Sequence, residues 1–406
     1  MKFRYLFYLL LICVSCGRSK PAMIADTDTV QPEVFAEDTF VYYPIKNNLI
    51  KVDLNNLQKA SISDYFSHIE LIPLETNDES VMNNVDKVVC YGERIYTLDY
   101  LQKVIHIFDD TGKFIFKINK YGQGPEEYLM VQDFIINPIT GNLDLLSPFG
   151  FIHSYDLSGN HVKTSKRITN DELLAIHAQI PLDEKTNIFI NKYGTSIVYY
   201  YDMDEMKILF HTYEDPNRII FSPNIYNYNG KWFLYAAYDN IVYELGADYE
   251  LGTDAVVESY TLDFDKYNYK LTEKIFSSDM SEFSSREEYI AKRQEVLDKI
   301  PYRIRRQDQN NRYVMANIKI KNDEDAFLIY DKSTQESKLM KHFNESVGFQ
   351  PYLVTNEYVL AYCPYGALDQ YVNETMLDES NQQKFNTLVN TKGEELNPVL
   401  IKYYFK

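Results

Sequence analysis

Short apolar runs broken by polar turns fill the chain from about residue 40 to its end, and they recur. Ile95-Tyr96-Thr97-Leu98-Asp99 and Val104-Ile105-His106-Ile107-Phe108 are neighbouring runs joined by a short polar link. Ile197-Val198-Tyr199-Tyr200-Tyr201 and Ala326-Phe327-Leu328-Ile329-Tyr330 take matching places further on. Runs of this length, rich in β-branched and aromatic residues, predict strands. Asp110-Thr111-Gly112 and Leu157-Ser158-Gly159 supply turns between them, each with a glycine able to take positive φ.

An aromatic residue followed by an acid marks the same turn in successive copies: Phe108-Asp109, Tyr155-Asp156, Tyr201-Asp202, Tyr243-Glu244 and Tyr330-Asp331. Their spacings are 47, 46, 42 and 87 residues, the last about twice the others. A period of that size with several strands per copy predicts the blades of a β-propeller. Residues 270–300 account for the doubled interval as a helical insertion. Ser284 or Ser285 offers an N-cap, with Glu287 or Glu288 three residues on to complete a capping box. Tyr289, Ile290, Val296, Leu297 and Ile300 recur at helical spacing, and Pro301 stops the run. Such a helix covers either the channel mouth or an outer strand.

The fold class expected is therefore all-β: a six-bladed propeller of four-stranded antiparallel blades, five or seven being the neighbouring counts. Blades fall near 85–128, 131–168, 176–213, 224–264, 305–345 and 350–406, the last completed by the segment before residue 85. Phe40-Val41-Tyr42-Tyr43-Pro44-Ile45 and Leu49-Ile50-Lys51-Val52 read as strands at one end, and Val399 to Phe405 at the other. A blade mixing strands from both termini seals the ring and leaves only short, protected edges. A radial repeat also explains how a chain of this length lacks an internal linker, because each blade packs only on its neighbours.

Ahead of the propeller, Lys2 and Arg4 precede an apolar run from Leu6 to Val14, too short to span a bilayer. Residues 1–15 read as a signal peptide, and Cys13-Val14-Ser15-Cys16-Gly17 resembles the bacterial lipoprotein signal in which Cys16 is lipidated. Residues 16–40, polar and without period, form a flexible tether, leaving 41–406 as the propeller. The residues after the cysteine, Gly17-Arg18-Ser19-Lys20, are basic, which favours the periplasmic side of an outer membrane over the cell surface. A formal net charge of −18 repels nucleic acid and anionic lipid, so membrane contact is expected through the N-terminal lipid only. Cys90 and Cys363 fall in the first and last blades; they form either a disulfide or two small buried hydrophobes.

Several segments together resemble the six-bladed β-propeller lipoproteins of Bacteroidota, which are related to NHL-type and TolB-like propellers. They are Ile69-Glu70-Leu71-Ile72-Pro73-Leu74-Glu75, Phe108-Asp109 with Gly112-Lys113-Phe114-Ile115, Gly122-Gln123-Gly124-Pro125-Glu126-Glu127-Tyr128, Asp133-Phe134 and Asn397-Pro398-Val399-Leu400. The resemblance covers nearly everything after residue 45 and implies architecture and location, with no general activity. Glu126 departs from the glycine common at that place.

Candidate chemistry is sparse. The glycines of the 122–128 loop allow close approach, and Glu126 and Glu127 suit a cation or an amine. The same loop equally suits a lock between the first two blades, with Tyr128 packed between them. Asp99 and Asp133 read as inner-strand acids of the kind that hold calcium or zinc in the channel of six-bladed hydrolases. They form no regular set, and the 7 histidines are scattered, so no cofactor is required and calcium is the metal left open. Gly-x-Ser-x-Gly, His-Glu-x-x-His and a phosphate loop are absent from the sequence. The 36 tyrosines suit strands and also sugar or peptide recognition. The expected function is a binding or scaffold module for a peptide, glycan or protein partner; the alternative is a channel-site, metal-dependent hydrolase or lyase.

Overall fold

The β-branched and aromatic runs pair in chain order into six radial sheets. The structure, a computed structural model, describes residues 40–41, 48–168, 173, 176–191, 196–214, 224–236, 239–246, 255–271, 284–363, 366–391 and 396–406. The expected signal peptide, Cys16 and the tether as far as residue 39 lie outside the described residues, as do residues 272–283 of the expected insertion.

Blade 1 comprises Lys87–Tyr91, Arg94–Asp99, Val104–Asp109 and Phe114–Ile118. Blade 2 comprises Asp133–Ile136, Leu143–Ser147, Phe151–Tyr155 and His161–Thr164. Blade 3 follows with Ile176–Pro181, Thr186–Asn191, Ser196–Asp202 and Lys207–Glu214. Blade 4 has Asn224–Tyr228, Lys231–Tyr235, Ile241–Leu245 and Val256–Asp263. Blade 5 has Tyr302–Gln309, Tyr313–Ile320, Glu324–Asp331 and Glu336–Met340. Blade 6 consists of Leu353–Val354, Tyr358–Cys363, Val399–Phe405 and, from the other end of the chain, Phe66–Pro73. First strands touch one another between blades 1 and 2, 2 and 3, 4 and 5, and 5 and 6, so they line the axis. Their starting ends define the face called top here; it carries the blade-to-blade connections and the turns between second and third strands.

The aromatic–acid repeat has a physical cause. In four copies the aspartate closes the turn between third and fourth strands by accepting backbone N–H groups. Asp109 Oδ1 takes those of Thr111 and Lys113, and Asp156 Oδ1 those of Ser158 and Asn160. Asp202 Oδ1 takes those of Asp204 and Glu205, and Asp331 Oδ1 that of Ser333. A short side chain acting on the backbone two to four residues ahead is the Asx-turn device. In blade 4 the longer Glu244 instead pairs with Lys231 across the strands, at 2.6 Å.

The ring is sealed as expected, but by Phe66–Pro73 rather than by the strands nearer the N-terminus. This segment pairs antiparallel with Val399–Phe405 as the outermost strand of blade 6. The earlier strand Leu49–Lys51 instead adds in parallel to the outside of Val256–Asp263, so blade 4 has five strands and is not wholly antiparallel. Phe40–Val41 pairs with Lys270–Leu271. Between its two sheet contacts the chain crosses blade 5, where Gln58 N–H donates to Leu339 C=O (2.9 Å) and Gln58 Oε1 accepts from Leu339 N–H (2.7 Å). Residues 48–73 are thus a belt over the outer edges of blades 4 and 5 that ends as the edge of blade 6. Unpaired outer strands template aggregation, and a belt removes that hazard from these blades.

The edge of blade 6, that of Phe66–Pro73, is covered by helix α2 (Glu379–Asn390), which the apolar pattern did not announce. Asn381 Oδ1 accepts from Leu71 N–H and Lys384 Nζ donates to Leu71 C=O, each at 2.9 Å. Helix α1 (Arg286–Lys299) lies where the sequence placed it. Ser285 Oγ accepts from Glu288 N–H at 3.1 Å, and the Glu288 carboxylate accepts from Ser284 N–H at 2.9 Å. It touches the Lys321–Asp323 turn of blade 5, which puts it on the top face and not against an outer strand. Tyr289 is buried and Ile290 exposed. No helix among the described residues is long and apolar enough to cross a membrane.

Blade 1 is clamped to the sealing strand through its own turn. Gly112 has φ +90°, and a Cβ there would collide with the carbonyl of Pro73. Glu75 N–H donates to Gly112 C=O, and Phe114 N–H to the Glu75 carboxylate, both at 2.8 Å. Cys90 stands in the innermost strand of blade 1 and Cys363 ends the second strand of blade 6, and no disulfide joins them. Burial pushes the Cys363 thiol up to about 12, so the buried-hydrophobe reading holds there.

Candidate functional site

The Gly122–Tyr128 loop folds on itself between blades 1 and 2. Gly122 N–H donates to Tyr128 C=O (3.1 Å), and Tyr128 N–H to Lys120 C=O (2.9 Å). The Glu127 carboxylate accepts from Gly124 N–H at 2.8 Å and occupies the space that a side chain at Gly122 would need. Tyr128 is buried, its hydroxyl 2.9 and 3.0 Å from the carbonyls of Ile118 and Lys103, to which it donates. From blade 2, Tyr155 donates to the Glu126 carbonyl at 2.9 Å. Gln123 and the Glu126 carboxylate face solvent. This is the geometry of a lock between blades.

Asp99 ends the second strand of blade 1, not the innermost. Its carboxylate accepts from the N–H groups of Asn83 (2.6 Å) and Gln102 (2.9 Å). Asp133 does stand in an innermost strand, buried, with Lys87 Nζ of blade 1 at 2.5 Å. Lys87 also donates to the Phe134 carbonyl at 2.7 Å, tying the two blades together. Among the described residues no three His, Cys, Asp or Glu side chains gather as metal donors, so the calcium expectation meets no preformed ligand set there.

A different site opens on the top face between blades 5 and 6, bordered by the chain entering blade 1. It is a cavity of about 410 Å³. A β-bulge between Ile304 and Arg306 shapes it: those residues pair with Ile318 and Asn317, which leaves Arg305 as the extra residue. Bulges bend a strand and re-aim its side chains. Arg305 is exposed, and it and the half-buried Arg306 both line the cavity. The Arg306 guanidinium lies 3.8 Å from the centre of the Tyr352 ring and donates from Nη1 to the Tyr352 carbonyl at 2.7 Å. Tyr352 is itself held: its hydroxyl accepts from Val88 N–H at 2.9 Å, and its ring meets Tyr362 edge-on at 5.8 Å. Asn317 donates from Nδ2 to the Pro351 carbonyl at 3.0 Å, while its Oδ1 is buried without a hydrogen-bond partner. Phe327 and Phe349 are buried beneath, and Tyr371 and Lys341 complete the wall.

Two residues beyond Arg306, Asp308 fastens blade 5 to blade 6. Its carboxylate accepts from Val354 N–H and Gln309 N–H, each at 2.7 Å, yet burial pushes its pKa up to about 7. A raised folded pKa means that the protonated form is favoured in the fold. The stability contributed is complete below the ordinary carboxylate range and is lost as pH rises through about 7. Asp308→Asn removes this dependence, so between pH 5 and pH 8 the variant should gain about 2–3 kcal/mol on the wild type. Urea denaturation at the two pH values measures the change. On the opposite face of the same strand, Tyr226, Tyr260, Gln307 and Gln309 form a buried hydrogen-bonded chain toward blade 4. Lys332 donates to Gln309 Oε1 at 2.7 Å, and burial lowers its ammonium to about 8.

None of the candidate site residues read from the sequence, Asp99, the 122–128 loop and Asp133, lines the cavity. Its walls come from residues 84–86, 305–306, 317, 325–327, 341, 348–352, 362 and 371, which carry no local motif. One signal was present: Arg305-Arg306-Gln307-Asp308-Gln309 is too polar for a strand whose neighbours are apolar.

Fold and cavity define a six-bladed β-propeller with a cleft at one blade interface. The chain belongs to the family described as domain of unknown function DUF4934, whose model matches residues 47–404. Among solved structures, it resembles a protein of Bacteroides fragilis described as exported, with 16% identity and a TM-score of 0.66, over 88% of this chain and 99% of that one. It also resembles a DUF4221-family protein of Bacteroides vulgatus, with 11% identity and a TM-score of 0.51, over 84% and 98% of the two chains. No curated protein shows significant similarity.

Proposed function

We propose that this is a lipid-anchored propeller of the cell envelope that captures a small polar ligand, a peptide or glycan segment, in the cavity between blades 5 and 6. The cavity carries the reading. Its volume is in the range of small-molecule sites, and guanidinium, amide and phenol groups converge on it from rigid strands. The hydrogen bonds that fix Arg306, Tyr352 and Asn317 pre-organise the walls, which lowers the ordering cost of binding.

Export is supported by the likeness to the Bacteroides fragilis protein, and the anchor by the Cys16 pattern. Labelling of cells with a palmitate analogue should mark the protein, and Cys16→Ala should abolish the label; a label that survives the substitution contradicts the anchor. For the binding reading, Gly348 lines the cavity, and a Cβ there meets only ordinary contacts, 3.4 Å to the Gln370 carbonyl and 3.5 Å to the Tyr371 ring. Gly348→Trp should therefore fill the space without unfolding the blade. Capture on peptide and glycan arrays should be lost in this variant while its melting temperature stays near that of the wild type. Capture that persists in a filled cavity overturns the assignment.

A further inference from the structure

We infer that the ligand of this cavity is a carboxylate-bearing sugar, its carboxylate held by Arg305 and Arg306; the inference rests on the binding reading above. The charges around the cavity do not cancel locally. Lys341 pairs with Glu324 at 2.6 Å, and Asp325 with Lys319 at 3.0 Å. Asp86 accepts from Asn84 Nδ2 (2.8 Å) and Tyr100 N–H (2.7 Å). After these matches Arg305 and Arg306 are left with no carboxylate in ion-pair contact among the described residues. Arg306 is half-buried, with one contact to a carbonyl and one to a ring. Asp308 lies close enough to favour the Arg306 charge but not in ion-pair contact, and the planar guanidinium fork matches a carboxylate in particular. The chain as a whole carries −18, so an adjacent arginine pair is not a remnant of a basic surface.

The rest of the wall narrows the class. Asn317 stands on the same wall, and an amide pairs with a sugar hydroxyl as donor or as acceptor. Asp86, on the same wall and hydrogen-bonded to neutral donors, keeps its charge, which disfavours a doubly charged anion while suiting hydroxyl donors. Tyr362 and Tyr371 line the cavity with aromatic rings that carry a polar edge, the kind of surface on which a pyranose ring packs. One negative charge, several hydroxyls and an apolar ring face describe a uronic acid.

Titration calorimetry on the full chain tests this with three probes: a galacturonic acid trimer, its methyl ester, and a tripeptide with a free C-terminus. The acid trimer should bind and the neutral ester should bind about 10–100-fold more weakly, the value of a charge-assisted hydrogen bond. Arg305→Ala, at an exposed position, should weaken the acid trimer by a similar factor and leave the ester unchanged. Equal binding of acid and ester overturns the carboxylate assignment and leaves the cavity reading intact. Preferred binding of the tripeptide, lost in Arg305→Ala, overturns the sugar. Failure of all three probes on folded protein overturns the inference, and the filled-cavity array experiment then decides the binding reading by itself.

Discussion

Phe66→Ala is expected to destabilise the protein by about 3–5 kcal/mol, the range for removing a fully buried aromatic side chain. Phe66 opens the sealing strand and is completely buried. Its ring stands 5.3 Å from Phe405, 5.5 Å from Tyr403 and Phe349, and 6.4 Å from Phe343. Those neighbours come from the third strand of blade 6 and from the chain between blades 5 and 6. One substitution therefore loosens the seal and a blade interface together, and the packed rings around the gap cannot collapse into it. Phe66→Leu, which keeps most of the volume, should cost less than half as much. Urea denaturation followed by tyrosine fluorescence measures both. A loss below about 1 kcal/mol for the alanine variant would mean that the strand is not seated there.

Asn397→Ala is expected to cost about 3 kcal/mol or more, although it removes only one small amide. Asn397 is buried and satisfies three backbone groups that have left their sheets. Its Oδ1 accepts from Met82 N–H (2.9 Å), and its Nδ2 donates to the carbonyls of Glu75 (2.8 Å) and Ser80 (2.9 Å). These groups belong to the crossover from the sealing strand to blade 1. Alanine leaves Met82 N–H and Ser80 C=O without these partners, at about 1–3 kcal/mol for each that water does not reach, while Glu75 C=O keeps the Ser80 hydroxyl at 2.7 Å. Asn397→Asp keeps the acceptor, loses both donors and adds a buried charge, so it should be no better than alanine near neutral pH. Equal stability of wild type and alanine variant in the same denaturation experiment would contradict this role.

Both residues show why so much of the ring was legible. Phe66 stands just ahead of Ile69–Glu75, and Asn397 opens Asn397-Pro398-Val399-Leu400; these segments lie where the propeller closes and crosses from its last blade to its first. The aromatic–acid spacing was readable because an aspartate builds each turn by local hydrogen bonds, and local interactions leave local patterns. Helix α2 was not readable: it lies inside blade 6, and only Asn381 and Phe385 are buried along it, so no apolar stripe marks it. Nor could pairing of Leu49–Lys51 with blade 4 be foreseen, since the choice between two sheet edges depends on where the belt runs.

The candidate site divides along the same line. The 122–128 loop and Asp133 stood out as motifs, and the structure engages them in joining blades 1 and 2. Asp99 reads as an inner-strand acid, yet its run is the second strand of its blade. Arg305, Arg306, Asn317 and Tyr352 converge only after two blades pack, and a bulge, not a motif, brings Arg305 to the wall.

The architecture depends on the two ends of the chain meeting in one sheet, and a cross-link reads that directly. Glu70 and Lys402 lie opposite each other in the seal between Phe66–Pro73 and Val399–Phe405. With Cys90 and Cys363 changed to alanine, Glu70→Cys and Lys402→Cys together should oxidise to a disulfide within one molecule. The product should run faster on a non-reducing gel and melt at a higher temperature. Folded protein in which these cysteines stay reduced, or link only between molecules, would contradict the closed ring.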